Sequence, residues 1–268
     1  MKKIIPISVL LIGNPALSLA ETQLSLSPSL LHFDYTEFSS SNVVLDREIG
    51  WLPGFSLTVK DDINKNLYYE FEITGHFGNV DYNGGTQSGL AHTTTTNENL
   101  WHTGFRLLTP YNNLADNTTD LYIGIKRHEW QRDIHDKNDI SGLYEVYKWW
   151  EISAGIQSNL WSNKTQKLSY DASLLYIYKP TIFVDLSRID RGTTTLNIGE
   201  NFGGRLQLAW KINNNQQWTY GLNSYVEFWD FGRSNTRITT GGIPAGVTEP
   251  RSETRNFGLQ ATIQYTFQ

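Results

Sequence analysis

The chain ends in Glu253-Thr-Arg-Asn-Phe-Gly-Leu-Gln-Ala-Thr-Ile-Gln-Tyr-Thr-Phe-Gln268, and this stretch decides its fold. Every second residue from Phe257 to Phe267 is apolar, and the residues between them are glycine or uncharged polar residues. Successive side chains of a β-strand point to opposite faces, so one face of this strand is apolar and the other polar. A strand between lipid and a polar interior has this pattern, which predicts a transmembrane β-barrel.

The same alternation recurs in nine earlier segments, and the connections between segments alternate between short and long. Outer-membrane barrels combine an even strand number with short periplasmic turns and longer outer loops. We therefore predict an all-β fold: a single antiparallel up-and-down transmembrane barrel of about ten strands. The predicted strands are residues 30–38, 47–60, 67–78, 99–110, 119–130, 143–161, 167–179, 201–212, 218–231 and 253–268.

The N-terminus has the pattern of a secretory signal peptide. Met1-Lys2-Lys3 is basic, residues 4–12 are uncharged and mostly apolar, and Ser18-Leu19-Ala20 supplies the small residues of a cleavage site. The apolar run is much shorter than the ~20 residues that a spanning helix needs. We expect residues 1–20 to be removed and residues 21–268 to form the barrel.

Composition restricts the class of function. Without Lys2 and Lys3 the chain has 20 basic and 27 acidic residues, so its net charge is −7, which argues against nucleic acid as a partner. It has no cysteine, which excludes disulfides and thiol chemistry. Its mean hydropathy is only −0.41, but its 9 Trp, 14 Tyr and 12 Phe suit a barrel with aromatic girdles. A soluble barrel or sandwich is the alternative, but it should carry charges on the face that is apolar here.

Three local features give specific expectations. In the first strand we assign Leu31, Phe33 and Tyr35 to the lipid face, and His32, Asp34 and Thr36 to the interior. Proline has no N–H for the ladder, so Pro53-Gly54 predicts a bulge or kink in the second strand. The polar segment 79–97, with its Asn-Gly-Gly and threonine runs, is interpreted as a long outer loop.

The predicted interior face carries charges of both signs. Opposite charges on neighbouring strands can pair across the wall, and a narrow barrel can be filled by its own side chains. We expect ion pairs that plug the lumen; a narrow channel that selects solutes and a carboxylate pair in acid/base catalysis are the alternatives. The predicted lumen-lining residues are Glu70, Glu72, His76, Arg106, Lys126, His128, Glu145, Glu151, Asp171, Arg205 and Glu227, with Lys211 as a further base.

Four histidines, His32, His76, His102 and His128, are also predicted to face inward. Converging imidazoles could bind zinc or copper. They are predicted to lie at different heights, and pairing with inward carboxylates is the commoner role of such histidines. We therefore expect no metal and no cofactor.

The third outer loop contains Asp133-Ile134-His135, in which an aspartate can orient a histidine as a base. Together with the strand number, this tripeptide resembles the omptin family of outer-membrane proteases. The resemblance implies Asp133 and His135 as candidate catalytic residues, acting with an aspartate pair from another loop. The family's Asp-x-His comes from the fourth loop, however, and Asp81 here has no nearby partner aspartate. Peptide cleavage by intact cells that survives Asp133→Ala and His135→Ala would exclude both residues.

Arginines concentrate in the last two predicted outer loops. Guanidinium groups suit phosphates, so Arg233, Arg237, Arg251 and Arg255 are candidates for contact with lipopolysaccharide, with Arg188 and Arg191 nearby. The other expected partners are outer-membrane lipid and, through the C-terminal strand, the barrel assembly machinery. These observations predict a protein of the bacterial outer membrane with a non-enzymatic surface binding or structural role. A porin-like narrow channel and an omptin-like protease are the alternatives.

Overall fold

A computed structural model describes residues 22–85, 89–111, 119–215 and 217–267, so the predicted signal peptide lies outside the described residues. Ten long antiparallel strands form one closed sheet, in which each strand pairs with its neighbours along the chain. They are β1 (Gln23–Phe38), β2 (Val44–Asn64), β3 (Leu67–Gly85), β4 (Ala91–Tyr111), β5 (Thr119–Ile134), β6 (Tyr144–Ser162), β7 (Gln166–Asp185), β9 (Asn201–Asn213), β10 (Trp218–Phe231) and β13 (Arg251–Thr266).

The C-terminal strand closes the barrel against the first strand. β13 pairs with β1 from Gln23↔Thr266 to Phe38↔Arg251, and with β10 on its other side. Its apolar residues, such as Leu259 and Ile263, are exposed on the outer wall, while Asn256 and Thr262 are buried inside. The ten-stranded barrel predicted from this strand is confirmed.

Short elements lie at the outer end of the barrel. After β7, the chain makes a 3-10 turn at Ser187–Ile189 and returns as β8 (Thr193–Asn197), an extra strand that pairs with β7. A two-stranded hairpin, β11 (Arg237–Ile238) and β12 (Gly246–Val247), precedes β13. Among the described residues, no helix is long and apolar enough to span a bilayer.

Several strands are longer than the sequence pattern predicted. β1 begins at Gln23, and β3 and β4 continue as a paired ladder to Gly85↔Ala91, so the predicted loop at 79–97 is mostly strand. The polar residues of this segment do not alternate with apolar ones, because a strand beyond the membrane needs no apolar outer face. The strand pattern was therefore not recognised. The predicted turn after β4 lies almost wholly in residues 112–118, outside the described part of the chain.

The exposed apolar side chains form a belt between two aromatic girdles. The lower girdle includes Tyr111, Trp161, Trp210, Trp218 and Phe267; the outer girdle includes Trp51, Phe77, Trp150, Phe202, Phe228 and Phe257. Beyond the outer girdle, the outer wall carries charged pairs such as Arg47–Asp34 and Lys148–Glu129. A tilted strand crosses a bilayer with about 9–11 residues, so strands of up to 21 residues extend past it. We call the part of the barrel beyond the outer girdle the outer section.

In the outer section, the faces of β1 are the reverse of those predicted. Leu31, Phe33 and Tyr35 are buried inside the barrel, at 3%, 0% and 0% exposure. His32 and Asp34 point outward, where His32 packs edge-on against Trp51 and Asp34 binds Arg47. The prediction failed because it placed every apolar side chain in lipid, whereas the outer section has an apolar interior.

Pro53-Gly54 lacks the bulge that was predicted there as the alternative to a kink. β2 pairs with β1 through Leu30↔Pro53 and Ser29↔Gly54 without a change of register. Pairing between β2 and β3 is absent from residue 50 to residue 53 but resumes in the same register at Gly54↔His76. The missing N–H of Pro53 therefore falls within an interruption of one ladder and shifts neither strand.

Candidate functional site

The barrel interior is divided into a polar lumen within the membrane and an apolar core in the outer section. The lumen contains a cavity of about 160 Å³, lined mostly by polar and charged side chains. Its lining extends to the periplasmic end, where it includes Gln23, Lys60, Lys211 and Gln264. Such a cavity has room for water or for a small polar molecule.

Arg106 joins two walls of the lumen. Its guanidinium group lies 2.8 Å from a Glu70 oxygen on the neighbouring strand and 2.9 Å from an Asp171 oxygen across the lumen. Tyr122 also donates a hydrogen bond to Asp171, at 2.5 Å. Arg205, on the strand adjacent to that of Asp171, binds Glu227 on its other neighbouring strand, at 3.3 Å. The cross-lumen pair narrows the interior more than a pair along the wall would.

A second ion-pair network is formed by Lys126, Glu72, Glu151 and two histidines. The ammonium group of Lys126 lies 3.6 Å from Glu72 and 3.9 Å from Glu151. His102 is 2.9 Å from Glu72, and His128 is 3.1 Å from Glu151. Each histidine therefore has a carboxylate partner.

Of the four histidines predicted to face inward, His102 and His128 come together, with ring centroids 5.0 Å apart, but the other two do not join them. His76 lies 3.0 Å from the Ser29 hydroxyl, and His32 is on the outer wall. Within the described ranges, no group of three or more His, Asp or Glu side chains has the arrangement of a metal site.

The outer section contains a buried arginine that the sequence analysis did not single out. Arg132 is 1% exposed and is surrounded by carboxylates from three other strands. The distances from its guanidinium nitrogens are 2.9 Å to Glu37, 3.4 Å to Asp46, 3.0 Å to Glu48 and 2.8 Å to Glu145. One cation thus links β1, β2, β5 and β6 across the interior.

Two further acids extend this group, which we call the Arg132 cluster. Glu98 is fully buried and accepts a hydrogen bond from the indole of Trp130. Glu249, in the loop before β13, accepts a hydrogen bond of 2.7 Å from Tyr147. Burial raises the pKa of the Glu249 carboxyl well above its usual range, and the charges of Glu37 and Glu145 raise it further. The cluster therefore holds more carboxyl groups than its single arginine can neutralise.

The sequence contains a pattern that places Arg132 inside the barrel. Lys126 and His128 were assigned to the interior, and the same alternation continues to Trp130 and Arg132. The predicted strand ended at Trp130, which left Arg132 in a charged loop, whereas β5 runs to Ile134. Glu145 was correctly placed inside, but its partner was missed.

An apolar core closes the lumen on its outer side. Trp130 and Tyr147, paired on neighbouring strands, stack with centroids 4.4 Å apart, and Tyr147 stacks on Phe231 from across the interior, at 5.8 Å. The core consists mainly of Leu31, Phe33, Tyr35, Leu52, Trp130, Tyr147, Trp149, Ile177, Ile182, Leu196, Trp229 and Phe231. Fully buried side chains from both sides therefore occupy the interior at this level.

The candidate catalytic residues Asp133 and His135 each contact a different residue in the structure. The carboxylate of Asp133 lies 2.7 Å from Arg188, and His135 Nδ1 lies 3.0 Å from the Thr95 hydroxyl. Ile134 between them is buried, so both side chains point to the outer wall, away from the barrel interior. In the described part of the chain, Asp136 is the further carboxylate close to Arg188, at 3.8 Å.

The predicted lipopolysaccharide-binding arginines lie in two groups. Arg251 and Arg255 are on the outer wall of β13, where both bind Glu253 at 2.6 and 2.7 Å. Arg47 lies nearby on β2, and its side chain is 49% exposed. Arg233 and Arg237 are exposed in the segment between β10 and β12.

Comparison with known proteins supports the fold. No family model matches the chain, and no curated protein matches its sequence. The chain is similar to the outer-membrane protease OmpT from Escherichia coli, with 10% identity over 92% of this chain and 96% of that one, and a TM-score of 0.53. The fold is that of a bacterial outer-membrane β-barrel. At this identity, the similarity extends to the fold alone.

Two other solved structures are similar with lower TM-scores. They are the outer membrane protein OprG from Pseudomonas aeruginosa, with 10% identity over 92% and 96% of the two chains and a TM-score of 0.43, and the outer membrane protein AlkL, with 13% identity over 100% and 97% and a TM-score of 0.41. The closed sheet, with its apolar belt between aromatic girdles, places the protein in the outer membrane.

Proposed function

We propose that this outer-membrane barrel is closed to solutes and has a non-enzymatic binding or structural role at the cell surface. The observation that carries the proposal is the apolar core of the outer section, with the Arg132 cluster inside the same section. A solute crossing the barrel would have to displace fully buried aromatic rings and a guanidinium group with four carboxylate partners.

The apolar core and the buried ion pairs inside this barrel are characteristic of the interior of a folded protein. Removing the partner of a buried charge costs about 3–5 kcal/mol, and each large core side chain contributes a similar amount through its packing. A pathway through the outer section would break several such contacts together. The barrel therefore serves as a rigid support for its outer rim, where β8, β11 and β12 lie.

Conductance in a planar lipid bilayer tests the closed state. The purified, folded protein is expected to insert without discrete conductance steps, while a general porin reconstituted in parallel gives them. Folding is verified by the mobility difference between heated and unheated protein on a gel, and insertion by co-flotation of the protein with lipid vesicles. Reproducible steps from the folded protein would overturn the proposal in favour of the narrow channel.

Lipopolysaccharide is the surface partner that the wall of the outer section favours. Arg47, Arg251 and Arg255 face outward just beyond the outer girdle, at the expected level of lipid phosphates. Arg47 pairs with Asp34, and both Arg251 and Arg255 pair with Glu253. The side chain of Arg255 nevertheless remains 65% exposed. Arginine forks bind phosphate oxygens in pairs, so these groups suit the phosphorylated sugars of lipopolysaccharide.

The amount of lipopolysaccharide retained by purified protein tests this contact. Arg47→Gln combined with Arg255→Gln is expected to lower the retained amount several-fold, because each charge-assisted contact contributes about 1.5–3 kcal/mol. Lys65→Gln, which removes a charge in the periplasmic turn after β2, is the control and should retain as much as the unchanged protein. Equal retention by all three proteins would refute the contact.

A further inference from the structure

Three lysines face the lumen at its periplasmic end: Lys60 on β2, Lys167 on β7 and Lys211 on β9. Lys60 and Lys211 line the cavity, and Lys167 has the same parity as the inward residues Ser169 and Asp171. Lys167 and Lys211 are directly opposite in the β7–β9 register, and Lys60 repels both of them across the lumen. Like charges directly opposite on neighbouring strands are destabilising, so the arrangement has an energetic cost without a counter-ion.

These lysines differ from the other bases of the lumen in their partners. Arg106, Lys126 and Arg205 all have carboxylate oxygens within ion-pair distance. Among the described residues, none of the three lysines has one within 4.0 Å.

Neutral groups and a few acids surround the lysines. The ammonium of Lys60 lies 4.0 Å from the centre of the Tyr68 ring, and that of Lys211 lies 3.3 Å from the Gln264 amide oxygen. The acids that act on Lys60 are Glu70, which already binds Arg106, together with Asp120 and Asp62, and Asp120 also acts on Lys167.

Two glutamines complete a polar site where β1 and β13 close the sheet. Gln264 donates a hydrogen bond of 3.1 Å to the Gln23 amide oxygen, and Gln23 pairs in register with Lys60. A chain of polar groups thus runs from Lys211 through both glutamines to Lys60. This chain lines the cavity of about 160 Å³, which the apolar core closes on the outer side.

We propose that Lys60, Lys167 and Lys211 form a binding site for a small oxyanion, a phosphate or short carboxylate, that enters from the periplasm. The compact charge of an ammonium group suits either oxyanion, since it imposes no planar geometry. The size of the cavity excludes a macromolecule, and the lysines face the lumen, so the ligand is a free anion and not a lipid headgroup. The site goes beyond the surface role proposed above, and its occupancy does not depend on whether the barrel conducts.

Calorimetric titration of the folded barrel, in a detergent without phosphate, tests the proposal. Inorganic phosphate and succinate are titrated separately at constant ionic strength, with chloride as the balancing salt. At least one oxyanion should bind saturably, and Lys167→Gln and Lys211→Gln should each weaken it roughly tenfold or more, since a charge-assisted contact is lost. Lys164→Gln, in the turn three residues before Lys167, is the matched control and should bind as the unchanged protein does.

Two outcomes would overturn the site. One is the absence of saturable binding of either oxyanion below about 10 mM. The other is equal binding by the Lys167 and Lys211 variants and the unchanged protein, which would mean nonspecific attraction. Folding of each variant is verified by gel mobility, and Lys211→Arg, which keeps the charge, should fold and retain binding. Loss of binding in a folded Lys211→Arg protein would also contradict the charge-based site.

Discussion

Arg132 is the residue whose environment differs most from that of an ordinary lumen base. In the lumen, Arg106, Lys126 and Arg205 each have one or two carboxylate partners, whereas Arg132 has four and is almost completely buried. Desolvating this many charges costs several kcal/mol per ion, which the mutual attraction offsets only while the cluster is intact. The guanidinium group therefore holds the strands of the outer section together.

Replacing Arg132 with methionine is expected to destabilise the barrel by about 3–5 kcal/mol, because the buried carboxylates lose their cation. Urea unfolding in detergent micelles, followed by tryptophan fluorescence, measures the change. Arg47→Met is the matched control: Arg47 also binds a carboxylate through two nitrogens, at 2.8 and 2.6 Å, but it is exposed, so the loss should be about 0–1 kcal/mol. An Arg132→Met protein as stable as the original would mean that the carboxyl groups are held neutral by protons.

At the scale of the strand, the sequence correctly predicted the strands and the side chains that contact lipid. All ten barrel strands were found, and the face of β13 was correct along its whole length, because in the membrane the outer side chains must be apolar. This reasoning fails for the outer half of β1. Its lower half alternates with Leu24 and Leu26 outside, but beyond the outer girdle Phe33 and Tyr35 lie inside. Alternation alone gives no sign of which side of a strand faces water.

The candidate site shows the same limit across strands. Glu70 and Arg106 were expected to pair because they lie on neighbouring strands, and they do. The pair between Arg106 and Asp171 was missed, since it crosses the lumen between strands that are far apart in the sheet. The Arg132 cluster was missed for a related reason: Arg132, Asp46 and Glu98 lie just beyond the ends of the predicted strands, and only closure of the barrel brings the cluster together.

In the whole molecule, the membrane section and the outer section of the barrel are stabilised in different ways. The membrane section balances its charges around a wet lumen, whereas the outer section is stabilised as a soluble β-protein is, by an apolar core. It also contains six buried carboxyl groups around one arginine: Glu37, Asp46, Glu48, Glu98, Glu145 and Glu249. The stability of the outer section should therefore depend on pH, while that of the membrane section is governed by lipid.

The sign of this dependence follows from Glu249. Its pKa is raised in the folded protein by burial and by Glu37 and Glu145, so the folded state binds the proton more tightly than the unfolded state, whose pKa is about 4.3. The stabilisation is complete below the unfolded pKa and is lost as the pH rises through the folded one, by up to about tenfold in the opening equilibrium per pH unit. Hydrogen exchange, corrected for intrinsic rates, should show stronger protection of the outer ends of β1, β5 and β6 at pH 5 than at pH 8. Glu249→Gln, which stays neutral, should weaken this difference, and protection that rises with pH would contradict the assignment.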